Sequence, residues 1–186
     1  MPLFSDFKSA AVRAAGRFRS NQRGSAAVEF AIVAPLFFAL LFAIIETSLV
    51  FFASQSLETA VQDSARMIMT GQAQTAKMTK QGFKQNVVCT HMSALFDCAN
   101  GIYVDVQSYP TGFGGVTIAD PINGGNFVDN TQYNPGGPGD IVVVRLFYQW
   151  PLFVTGLGYN IANLSGSKRL LSATAAFKNE PYTPPS

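Results

Sequence analysis

Between Phe30 and Ile45 the chain offers no charged side chain and none that forms hydrogen bonds. In water such a run would need cover on every side; in a bilayer it needs none. As a helix rising about 1.5 Å per residue, residues 30–45 cover about 24 Å and residues 30–53 about 36 Å, against a hydrocarbon core of about 30 Å. The run therefore predicts a single spanning helix over residues 25–53. Pro35 lies inside it and lacks an N–H, which membrane helices tolerate. Immediately before the run stands Arg23-Gly24-Ser25-Ala26-Ala27-Val28-Glu29-Phe30. Glu29 puts a carboxylate at the mouth of the span, where a charge is costly and commonly marks function. Two readings are open. The side chain snorkels at the cytoplasmic interface, or it pairs with a positive charge arriving from another chain.

Charge is unevenly spread. Lys8, Arg13, Arg17, Arg19 and Arg23 face only Asp6 in the first 24 residues; of the chain's 13 basic and 11 acidic residues, eight and ten remain after Gly24. By the positive-inside tendency the basic end stays in the cytoplasm and the C-terminal portion crosses the membrane. No basic patch of the kind nucleic acid requires follows the leader. An ordinary signal peptide would be cut after its apolar region. Here the plausible cut lies before that region, so the apolar segment is retained. The leader itself reads equally as a short interfacial helix, with Phe4, Phe7, Val12 and Phe18 on one side, or as a basic tail.

The order of basic flank, Gly24, Glu29 and apolar span resembles the processing site of type IV prepilins. The fuller run from Arg23 through Ala34-Pro35-Leu36 looks like the TadE-like family, the minor pilins or pseudopilins of tight-adherence (Flp-type) pilus systems. This resemblance covers about residues 23–50. It implies cleavage between Gly24 and Ser25 by a prepilin peptidase, with the chain as substrate. It further implies Glu29 and Phe30 as assembly contacts, other pilins or pseudopilins and the inner-membrane assembly platform as partners, and a single-pass place in the bacterial inner membrane with the C-terminal domain periplasmic.

Three segments follow from this order: a cytoplasmic leader 1–24, a span 25–53 and a domain 54–186. Glu46 lies 21 residues beyond Ser25, about 31 Å along a straight helix. It is expected near the far headgroups, as an interfacial carboxylate or as a second intersubunit contact. Leu57, Ala60, Val61, Ser64, Ala65 and Ile68 keep helical spacing, so the helix should continue as a core element to a stop at Gly71. A second helix is expected from about Thr75 to Phe96. Its region holds Cys89, His91 and Cys98. In an exported domain the two cysteines point to a disulfide; a metal site would have three ligands and no obvious fourth.

Three runs read as strands: 102–109 stopped by Pro110, 141–150 stopped by Pro151, and 170–177. The continuous apolar start of the second marks a central strand covered on both faces. The expected fold class is α+β: a pilin-like long N-terminal helix, a second helix and a small antiparallel sheet. Residues 111–140 form a Gly-rich insertion in which 116–118 and 126–128 are candidate edge strands. Asp120, Asp129 and Asp140 within it fit no calcium-loop spacing. Residues 152–166 are rich in aromatics and glycine, an ordinary loop or one that touches partners or membrane. The tail after Glu180 is expected to fray.

No nucleophile elbow, phosphate-binding glycine loop or paired-histidine metal motif occurs, and one histidine would have to serve any acid–base role. The expectation is a non-enzyme without cofactor or metal. Two function classes remain: a processed pilus component, or an unprocessed single-pass envelope protein whose exported domain scaffolds a secretion complex or binds a ligand. A membrane-tethered hydrolase is a weaker third.

Overall fold

The structure is a computed structural model that describes residues 24–92, 96–154 and 159–183. The basic leader up to Arg23 lies outside the described residues. The chain divides into two compact units between Phe42 and Ala43. Helix α1, Ser25–Met69, runs for 45 residues.

In the second unit, α1 changes character at one residue. Its buried positions are Glu46, Val50, Ala53, Leu57, Ala60, Val61, Ser64, Ala65 and Ile68, spaced by threes and fours. That spacing draws one face of the helix, and small residues at four of the nine places, Ala53, Ala60, Ser64 and Ala65, let another layer come close. The layer is a three-stranded antiparallel sheet, in the order β1 (Ile102–Tyr109), β4 (Ile141–Pro151), β5 (Lys168–Lys178). Register places Val104, Leu146 and Ala173 in one row and Val106, Val144 and Ala175 in the next. All six share a core with Leu57, Val61 and Ile68 of α1. The core thus begins at Glu46, Val50 and Ala53, inside the stretch 25–53 that length alone assigns to lipid.

The central place of β4 agrees with its sequence. Its other face carries Phe147, packed with Leu164, Leu170, Tyr103, Ile122 and Phe127. Ile122 and Phe127 come from a two-residue-strand hairpin, β2 (Ile122–Asn123) with β3 (Asn126–Phe127). The Gly-rich insertion therefore supplies the sheet's second cover. Only one of its candidate edge strands forms: residues 116–118 stay irregular and the partner of 126–127 is 122–123.

The insertion is also stitched down. Asp105 and Arg145 stand opposite each other on β1 and β4. Asp105 is fully buried and accepts from Arg145 Nε at 2.9 Å and Nη2 at 2.7 Å, from Gln107 and from the Gln132 backbone N–H at 2.7 Å. Arg145 Nη1 donates to the Ala119 carbonyl at 2.9 Å. One ion pair in the sheet so holds two points of the insertion. Val106 then exchanges backbone bonds with Gln132 and Asn134 at 2.9 and 2.8 Å. The three acids that invite a calcium reading lock local turns instead: Asp120 accepts from Ile122 N, Asp129 from Thr131 N, and Asp140 from Gly137 N and Ser108 Oγ.

Helix α1 stops where the glycine predicts. Gly71 has φ +76, and a Cβ there would meet the Tyr182 ring at 2.4 Å. Past a single turn, α2 (Gln72–Thr75), Lys77 takes φ +48 and breaks the run. Thr79 caps a fresh start, accepting from Gly82 N at 3.1 Å. The second helix is therefore later and shorter than 75–96: α3 (Lys80–Phe83) continues through a π turn, Lys84–Val88, and a 3-10 turn, Cys89–His91. Residues 93–95 lie outside the described residues. The tail is not frayed as far as Thr183: Glu180 N donates to Met69 O at 2.9 Å and Tyr182 reaches Gly136 O at 3.1 Å.

Removing Arg145 would leave the Asp105 carboxylate buried without its cation. Arg145→Ala should lower unfolding stability by about 3–5 kcal/mol, the usual cost of breaking a buried pair from one side. Denaturant titration of the detergent-solubilised chain measures it; a loss within the range of a surface substitution would mean that the pair does not organise the insertion.

Candidate functional site: an outward-facing helix start and a collar below the sheet

In the first unit, the residues singled out by sequence all face outward. Gly24 precedes α1 in a short 3-10 position. A Cβ placed on it meets nothing within 4 Å, and its φ lies outside the left-handed region. Among the described residues, neither packing nor backbone geometry asks for glycine there. Ser25 Oγ donates to Glu29 Oε1 at 3.0 Å, one helical turn on, and both side chains are exposed. Among the described residues, no ion pair includes Glu29.

Phe30 is 67% exposed, and Val28, Ile32, Val33, Leu36, Phe37 and Leu40 are as open. No residue of α1 before Glu46 is buried. This is one helix long and apolar enough to cross a membrane. Its aromatic side chains meet mainly one another, Phe37 edge-on to Phe38 and Phe38 stacked on Phe42.

The second unit contains a feature that sequence reading missed. Glu46 is 4% exposed. Its carboxylate accepts the backbone N–H groups of Phe153 and Val154, the latter at 3.0 Å. The next residue, Thr47, donates to Ala43 O one turn back at 2.8 Å, which leaves its oxygen to accept from the Tyr159 hydroxyl. The chain leaving β4 is thus fastened to α1 at two points, Phe153–Val154 on Glu46 and Tyr159 on Thr47, a collar of two attachments. Glu46 is buried and its carboxylate is taken up by backbone amides of its own chain. An acid in an apolar run was the one available signal; its partners are backbone amides 107 residues away, which no local pattern encodes.

Cys89 and Cys98 are joined in a disulfide. It ties the end of the second helix to the turn α4 (Cys98–Gly101) that feeds β1. With both sulfurs bonded to each other, neither is a thiolate for a metal. His91 lies at the surface, 3.4 Å from Asp63. Among the described residues no three His, Cys, Asp or Glu side chains gather.

Residues 24–66 match the family described as TadE-like protein. The match starts at Gly24 and ends within α1, so it takes in the exposed start, the apolar run and most of the helix face under the sheet. No curated protein and no solved structure matches the chain.

Glu46→Ala would strand two backbone donors, a cost of about 1–3 kcal/mol. Amide exchange at Phe153 and Val154 should quicken by about tenfold to a hundredfold, while Val104 and Val144 in the sheet keep their protection. Unchanged exchange at 153 and 154 would mean that the collar is held by other contacts.

Proposed function

We propose, from the match of residues 24–66 to the TadE-like family, that this chain is a membrane-anchored minor pilin or pseudopilin of a tight-adherence pilus system, cut after Gly24 by a prepilin peptidase. The observation that carries the reading is a glycine that the chain's own fold does not require, set five residues before an acid at the start of an uncovered apolar helix. In peptidase chemistry the chain is a substrate, and no cofactor or metal enters.

The chemistry after cleavage follows from the spacing. The new terminus is the Ser25 ammonium. Ser25 Oγ already satisfies one oxygen of Glu29. The other is free to accept the ammonium of an adjacent subunit. In a setting of low dielectric an unpaired carboxylate is penalised, so docking that supplies a cation is favoured. Phe30 and the exposed apolar residues after it would form the rest of the helix–helix contact, with other pilins or pseudopilins as partners at the inner-membrane assembly platform. The disulfide supports export of the domain to an oxidising compartment, which is the topology that the basic leader favours.

Two tests bear on this reading. Mass measurement of the membrane-extracted protein should find a chain beginning at Ser25 where the peptidase is active and at Met1 where it is deleted, and Gly24→Ala should keep the full-length form. Retention of the leader in both strains would leave an unprocessed single-pass envelope protein. Glu29→Ala should be inserted and cut normally yet lose assembly: a charge-assisted contact of about 1.5–3 kcal/mol corresponds to roughly ten- to a hundredfold in subunit docking. Counting surface pili in the variant strain checks it.

A further inference from the structure

The collar at Glu46 holds an apolar side chain that the described residues leave open. Phe153 is 80% exposed, the most open of the large apolar residues, while Leu152 beside it is buried in the core. Its backbone is fastened to Glu46, so its position along α1 is set. Within two turns of Glu46 along α1, Ile44, Ile45, Leu49 and Phe52 are also exposed. Glu46 lies about 31 Å above Ser25 at about 1.5 Å per residue, close to the thickness of a hydrocarbon core. Tyr159, hydrogen-bonded to Thr47, brings a second aromatic with a polar tip to the same level, the placement aromatic belts adopt at membrane–water boundaries. Register puts Lys168 opposite Pro151, so an exposed cation stands at the same end of the sheet.

We propose that Phe153 is a second membrane foot: the collar seats its ring among the acyl chains at the outer edge of the span, in contact with anionic phospholipid. This rests on the reading that α1 crosses the membrane. The occupant is lipid because Phe153 is fastened at Glu46, where the apolar run of α1 still exposes Ile44, Ile45, Leu49 and Phe52, and because a tyrosine held at Thr47 and a lysine opposite Pro151 suit the headgroup level. The collar would fix how deep the domain sits, since one helix alone leaves the domain free to rise and tilt.

The test uses the full chain in vesicles of phosphatidylethanolamine and phosphatidylglycerol, with the photo-crosslinker p-benzoylphenylalanine placed in turn at Phe153, Phe37 and Phe113. Phe37 reports the span. Phe113 is 65% exposed and follows β1 at Tyr109, which pairs with Ile141 at the other end of the sheet from Pro151. Phospholipid adducts at position 153 approaching the yield at 37, and at least about tenfold above the yield at 113, support the proposal. Adducts at 37 but background yield at 153 overturn it while leaving the span intact, as would crosslinks from 153 to protein alone. Background yield at both 37 and 153 overturns the span and the foot together.

Discussion

A single helix has to satisfy two solvents. Before residue 46 nothing in the described chain covers α1, and from 46 onward one face is covered continuously. Full burial of a large apolar side chain is worth about 1.5–3 kcal/mol, so exposing Val28 through Ile45 to water would cost more than a domain of this size can recover. Lipid removes that cost. Everything beyond follows from ending the lipid-facing part cleanly. The acid that ends it, Glu46, is itself tolerable there because backbone amides from the far end of β4 come to meet it. The boundary is thus made by the domain reaching to the helix, rather than by the helix becoming polar.

The same economy governs the sheet. Three strands give one core face to α1, which leaves the back of β4 bare, with Phe147 and Arg145 on it. The insertion covers that face although it has little regular structure of its own. Its glycines and prolines cannot supply a ladder, so side chains in the sheet supply its anchors. Asp105 and Arg145 suit the task because each has more hydrogen-bonding capacity than the other can use. After pairing, a carboxylate oxygen remains for Gln132 N and a guanidinium donor for Ala119 O. A buried pair adds little net stability by itself; here its surplus valence fixes a loop.

What could be read from the sequence was whatever depends on near neighbours. β1, β4 and β5 were legible because alternating or continuous apolar runs ended at Pro110 and Pro151, and α1 because its spacing never slips between Glu46 and Ile68. The α+β arrangement and the disulfide followed from those elements and from compartment. What was illegible had a distant cause. Asp105 looks like the polar half of an alternating strand until Arg145 is placed opposite it. The second helix loses its first turn because Lys77 adopts a left-handed conformation that lysine does not advertise. The tail looks unstructured because nothing near it says that Tyr182 will lie on Gly71.

Two glycines bracket α1, and the comparison between them separates internal from external causes. Gly71 is required from within: its φ is positive, and the Tyr182 ring fills the space a Cβ would take. Gly24 has ordinary backbone geometry and open space around it. Just before a helix glycine is accepted more readily than alanine, but among the described residues neither a positive φ nor a close neighbour demands it at position 24. On the proposed reading, a glycine that the described residues do not crowd, next to an exposed acid and an uncovered apolar surface, suits a molecule that must fit closely around that backbone. A protease active site makes that demand, because it takes the substrate main chain in extended contact and a side chain at the cut is an obstruction. On that reading the helix start is a surface shaped by what binds it, whereas the rest of the described chain is shaped by how it packs.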